Sequence, residues 1–122
     1  SNDQVNTYRT ERYDQAQKNS QLISYAATAM LIVEVAAITF ALISLNIPGV
    51  IVMGLLVVPT YDAAIVFKNA SKAYASNRQG QNETEITDNI SKVLIDNFFK
   101  HSKTYDCYKQ WLKPHVDQLI QE

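Results

Sequence analysis

The sequence predicts an all-α fold, and three observations carry that prediction. Between Gln21 and Phe67 the chain holds only two formal charges, Glu34 and Asp62, in two apolar runs parted by the short breaker Asn46-Ile47-Pro48-Gly49. Two stretches nearer the C-terminus repeat apolar residues every three or four positions, the period of a helix with one buried stripe. Val50 to Val58 is rich in β-branched residues, but no second strand-like run offers it a pairing partner, so context overrides propensity. The expected architecture is a central antiparallel apolar helical hairpin with a polar N-terminal extension and two amphipathic C-terminal helices. It forms a single domain over residues 3–122, a length suited to one core.

The first helix is expected over residues 3–45. Its polar opening has Val5, Tyr8, Arg12, Ala16 and Ile23 at helical spacing and no Gly or Pro. Asp3, Glu11 and Asp14 balance Arg9, Arg12 and Lys18, as in a solvated helical face with pairs three or four residues apart. From Leu22 to Leu45 the polar face disappears, because Ser24, Thr28, Glu34, Thr39 and Ser44 fall around the whole circumference. A helix apolar on every side is covered on every side. These residues extend about 36 Å as a helix, enough for a hydrocarbon core of ~30 Å. Glu34 near the centre costs on the order of 2 to 3 kcal/mol there, so the span needs a partner. Ala29, Val33, Ala37 and Ala41, at four-residue spacing, are the small residues that close helix packing and self-association use.

Asn46 to Gly49 reads as a helix stop and tight turn: Asn and Gly tolerate the left-handed region, and Pro48 cannot continue the preceding ladder. A second helix follows over residues 48–77, kinked at Pro59 where a backbone hydrogen bond is lost. Asp62 stands one turn later, as the apolar run fades. Pro48, Gly49, Pro59 and Pro114 are the hinge or kink candidates. Arg9, Arg12 and Lys18 precede the apolar hairpin, Lys68, Lys72 and Arg78 follow it, and the turn carries no charge. By the positive-inside rule that pattern sets both ends in the cytoplasm.

After the loop at 76–83, residues 84–101 place Ile86, Ile90, Val93 or Leu94, and Phe98 on one stripe. Asn82 or Thr84 is the cap, with Glu83, Glu85 and Asp88 in the first turn and Lys100 and Lys103 at the end, complementing the helix dipole. Residues 104–121 repeat the pattern with Tyr105, Tyr108, Trp111 or Leu112, Val116 and Leu119. Pro114 predicts a kink or break near Leu112-Lys113.

The composition bounds the function. A net charge of -1 over a chain that is 47% hydrophobic and 19% charged leaves no electrostatic footprint for nucleic acid. The single cysteine, Cys107, excludes an intrachain disulfide. His101 and His115 lack ligand-spaced companions, and Cys107 lacks a neighbouring base, so no metal, cofactor or catalytic residue is expected and the chain reads as non-enzymatic. Ser1 and Asn2 are set aside as an expression scar or the start of a processed segment. The first apolar segment is too long and too deep in the chain for a signal peptide. The candidate functional groups are the two carboxylates. In lipid, Glu34 and Asp62 would face the bundle or a water-filled path. In a soluble bundle Glu34 would turn to solvent or a subunit interface, satisfied by Tyr25, Thr28 or a basic residue.

The polar helix YRTERYDQAQKNSQ, an apolar helix, a very short turn, a second apolar helix and KNASKAYASNR before a further helix resemble the SLATT-type two-helix membrane proteins of bacterial defence systems. The resemblance covers residues 7–95 and rests on element order and the basic, aromatic flanks; the central carboxylates depart from it. It implies a hairpin that assembles in the bacterial inner membrane as a pore-forming effector, with no catalytic residues. The competing reading is a soluble all-α interaction protein, a small inhibitor, adaptor or effector partner in the cytoplasm. It would bury the hairpin in its core and in a dimer interface, since a monomer this small leaves too much apolar surface uncovered. Both readings make the chain its own partner, with membrane lipid or another protein as the second.

Overall fold

The computed structural model describes residues 2–122; Ser1 lies outside the described residues, and Asn2 opens the first helix. The protein is all-α. Helix α1 runs Asn2–Ile43, α2 runs Ile47–Ser76 and α3 runs Glu83–His101. A short α4, Lys103–Cys107, passes through a π-helical turn, Tyr108–Leu112, into α5, Lys113–Gln121. Helices α1 and α2 pack along their lengths as an antiparallel hairpin, and α3 lies against the base of both.

The hairpin turn is tighter than the breaker residues imply. Leu45, not Asn46 or Gly49, takes the left-handed conformation, with φ 58°. Its N–H donates to the Leu42 carbonyl at 3.2 Å and the Asn46 N–H to the Ala41 carbonyl at 2.8 Å, which closes the last turn of α1. Asn46 then caps α2 through its side-chain oxygen, which accepts from the Gly49 N–H at 3.1 Å. Pro48 and Gly49 therefore belong to the first turn of α2, where a missing N–H costs nothing. Pro59 sits inside α2, which stays α-helical through it. Pro114 acts where expected but by a different device. With no N–H to reach Gln110, the preceding turn widens, and the Lys113 N–H donates to the Tyr108 carbonyl five residues back.

The core lies at the base of the hairpin. Tyr13, Ala70, Tyr74 and Ile86 are buried there, with Val5, Tyr8, Ala16, Ile90, Val93 and Leu94 packed around them. The Tyr13 and Tyr74 rings meet edge to face at 6.2 Å. Both hydroxyls are satisfied by backbone: Tyr13 donates to the Gln79 carbonyl at 2.9 Å, and Tyr74 to the Ile90 carbonyl at 3.1 Å. The N-terminal charges do more than solvate a face. Asp14 pairs with Arg78 at 2.6 Å, and Arg9 donates through Nε to the Gly80 carbonyl at 2.9 Å. These contacts strap the α2–α3 loop to α1.

Helix α3 starts on a reciprocal cap. Asn82 accepts from the Glu85 N–H at 2.9 Å while the Glu85 carboxylate accepts from the Gln81 N–H at 2.7 Å. Gly80 precedes it with φ +123°, and a Cβ there would stand 2.6 Å from Ile86 Cγ1 and 2.9 Å from the Ile86 backbone. Gly80→Ala should therefore destabilise the fold by about 1–3 kcal/mol or more. Thermal unfolding followed by circular dichroism measures this, and an unchanged midpoint would contradict it.

Beyond this base, α1 and α2 continue alone. Both are long and apolar enough to cross a membrane, yet only 11% and 17% of their most apolar 18-residue windows are buried. A core helix of a soluble monomer buries most of such a window.

Candidate functional site

The hairpin's inner seam assembles from the residues that look misplaced in an apolar sequence. In α1 the side chains turned toward α2 are Ser20, Ser24, Ala27, Leu31, Glu34, Ile38 and Ala41, in alternate steps of four and three residues. In α2 the matching series is Val50, Met53, Val57, Thr60, Ala64, Phe67, Ser71 and Tyr74. Ser20, Ser24, Glu34 and Thr60 thus lie inside among Leu31, Ile38, Met53 and Val57, while other large apolar side chains point away. Phe40 is 72% exposed and Leu55 70%. The polar groups of α1 are therefore not scattered around its circumference to no purpose. Ser24 crosses to α2, donating to the Ala64 carbonyl at 2.8 Å. Thr28, Thr39 and Ser44, on the outer faces, each donate to the carbonyl four residues earlier, at 2.8, 2.9 and 2.8 Å. That back-bonding hides a hydroxyl from an apolar surrounding.

Glu34 is buried in this seam, 6% exposed. Its partner is neither Tyr25, Thr28 nor a basic residue, and it does not face solvent. Thr60, across the seam, donates its hydroxyl to Glu34 Oε1 at 2.8 Å and also approaches the Leu56 carbonyl at 3.0 Å. The second oxygen, Oε2, is buried with no hydrogen-bond partner. A buried carboxylate oxygen without a hydrogen-bond partner is costly in an apolar hairpin.

Asp62 is equally buried but fully partnered, on the other side of α2. Oδ2 accepts from the Ser102 hydroxyl at 2.6 Å and the Thr104 N–H at 3.0 Å, and Oδ1 accepts from the Lys103 N–H at 2.8 Å. Ser102 in turn accepts from the Tyr105 N–H at 2.9 Å. The carboxylate therefore serves as a cap supplied by another helix, satisfying the N–H groups that α4 leaves free at its start. It fixes the α3–α4 corner to α2 at the level where the uncovered part of the hairpin begins.

The four residues at small-residue spacing divide. Ala41 closes the hairpin's own seam and Ala37 is half-buried beside it, whereas Ala29 and Val33 face outward, Val33 at 61% exposure. Among the described residues no three His, Cys, Asp or Glu side chains gather to hold a metal ion. Cys107 is exposed. Sequence reasoning missed Thr60, Ser102 and Tyr13. The alternation of small and polar residues from Ser20 to Ala41 was the available signal for the seam, and Ser102 before a helical run was the signal for the cap. Compared with protein-family models, curated proteins and solved structures, the chain finds no match.

Proposed function

We propose that the chain is a membrane-embedded helical-hairpin protein that associates with further copies of itself, its turn on one side of the bilayer and both ends on the cytoplasmic side. One observation carries the reading: the hairpin keeps its carboxylate Glu34 between the helices and turns large apolar side chains outward along both of them. Ser24, Glu34 and Thr60 lie between the helices, while Ile32, Phe40, Ile43, Leu45, Ile51 and Leu55 face outward. From Ile47 to Phe67 the helix rises about 30 Å, the thickness of a hydrocarbon core. Arg9, Arg12, Lys18, Lys68, Lys72 and Arg78 all belong to the opposite end from the turn, which supports the orientation.

Self-association follows from the polar seam and the outward small residues. A two-helix span with a buried carboxylate is poorly served by lipid alone, and Ala29 and Val33 offer a neighbouring helix a close approach. The role proposed is that of a pore-forming or effector-type module, as the SLATT-type resemblance implies, with no catalytic step. A soluble dimer would have to cover both outer faces up to the tip, where Leu45 is 81% exposed and Ile47 59%.

Fractionation of cells expressing the full chain tests this. The protein is expected in the membrane pellet after an alkaline carbonate wash, released by detergent as more than one copy per particle. Recovery without detergent as a monodisperse species would refute the membrane reading and leave the soluble dimer.

A further inference from the structure

We infer that the C-terminal arm, residues 103–121, is an interfacial amphipathic helix that lies along the lipid surface beside the point where the hairpin enters the bilayer. The inference rests on the membrane reading above and adds to it a second lipid contact, in the plane of the membrane.

The arm has an apolar stripe that the rest of the chain leaves uncovered. Trp111 is 70% exposed, Leu112 55%, Leu119 69% and Ile120 77%. Among the described residues the arm packs on the hairpin chiefly through α4, and α5 packs on the π-helical turn that leads into it. Its charges, by contrast, are matched within the arm. Lys109 pairs with Asp106 at 3.6 Å and Lys113 with Asp117 at 2.6 Å, and the Asp117 carboxylate holds the Lys113 ammonium above its usual range. An exposed stripe of Trp and Leu beside a polar one that carries lysines is the pattern of a helix lying in a lipid–water boundary.

Depth makes lipid the occupant. The Asp62 cap fixes the root of the arm on α2, and from Asp62 to Phe67, where the apolar run ends, α2 rises about 7 Å. That is the depth, ~5–10 Å below the headgroup boundary, at which interfacial helices bury their apolar face. Phe99 meets Tyr105 at 4.8 Å and Tyr105 meets Tyr108 at 6.1 Å, so a cluster of aromatic rings sits at this level, as in the aromatic belts of membrane proteins. Lys100, in the last turn of α3 beside this cluster, is long enough to carry its ammonium group outward to the headgroup level.

Trp111 is the chain's single tryptophan and reports on the arm directly. The full chain should be reconstituted into phosphatidylcholine–phosphatidylglycerol vesicles containing lipids brominated either near the headgroup or near the chain end. The expected result is blue-shifted emission, quenched more strongly by the shallow bromines, with Leu119→Lys plus Ile120→Lys shifting the emission back to the red while the protein stays carbonate-resistant. A water-exposed spectrum without quenching, in a chain that still resists carbonate, would overturn the arm's placement and leave the hairpin reading intact. A blue-shifted but unquenched Trp111, with copies cross-linked through Cys107, would assign the stripe to a second copy and overturn the proposal. A chain that does not float with the vesicles at all would overturn both readings.

Discussion

Asp62→Ala should destabilise the folded chain by about 1–3 kcal/mol, the scale for leaving a buried donor without its acceptor. The substitution withdraws the acceptor from the Ser102 hydroxyl and from the N–H groups of Lys103 and Thr104. The Ser102 hydroxyl is buried and gains no replacement, whereas Lys103 and Thr104 are exposed and lose less. The loss is local in its consequences. The base core around Tyr13, Tyr74 and Ile86 lies at the far end of α3 and keeps its contacts. The arm beyond Ser102 should therefore detach first. Hydrogen exchange should rise across residues 102–121 well before it rises at Tyr74 or Ile86, and trypsin should cut at Lys103 or Lys109 in the variant under conditions that spare the parent. Asp62→Asn keeps one acceptor but turns an amide toward donors, so its effect should be intermediate. An Asp62→Ala chain with an unchanged unfolding midpoint and unchanged exchange in the arm would show that the corner is held by something else.

The two carboxylates also show what the sequence could and could not convey. The helices themselves were legible, because helix breakers are local: Asn46 to Gly49, the polar loop around Gly80 and the Asn82 cap lie where the chain turns. The turn's geometry was less so, since a leucine in the left-handed region contradicts residue preference and is tolerated only because the Asn46 N–H and the Ala41 carbonyl close around it. The seam was hidden for a different reason. A helix apolar on all sides gives no periodic signal for which side meets its partner, and here the informative residues were the polar ones. Asp62 was visible as an anomaly, but its partner Ser102 lies forty positions away, and only the return of α3 along α2 brings the two together. Tyr13, fully buried, reads in the sequence as one more residue of a solvated helix. Its burial depends on the loop at Gln79 folding back over α1.

Glu34→Leu should stabilise the isolated hairpin, by about 1–3 kcal/mol, the cost of a buried polar atom left without a partner. The sign depends on what the substitution orphans. Thr60 loses the Glu34 oxygen but retains the Leu56 carbonyl at 3.0 Å, so its hydroxyl stays satisfied. Among the described residues no other group bonds to the carboxylate, and Oε2 already lacks a partner. Leucine fills similar volume at a seam position flanked by Leu31 and Ile38, where an apolar side chain continues the packing. The measurement is unfolding of the monomeric chain in detergent, and a higher midpoint is the expected outcome. The same substitution in the membrane separates two roles for the group. If Oε2 is completed by a donor from a neighbouring copy, the variant should gain stability as a monomer and lose affinity for itself, so that cross-linked oligomers in the bilayer decline. A variant destabilised even as a monomer would show that the bond from Thr60 outweighs the cost of the unpartnered oxygen, and unchanged cross-linked oligomers would show that the carboxylate has no part in assembly.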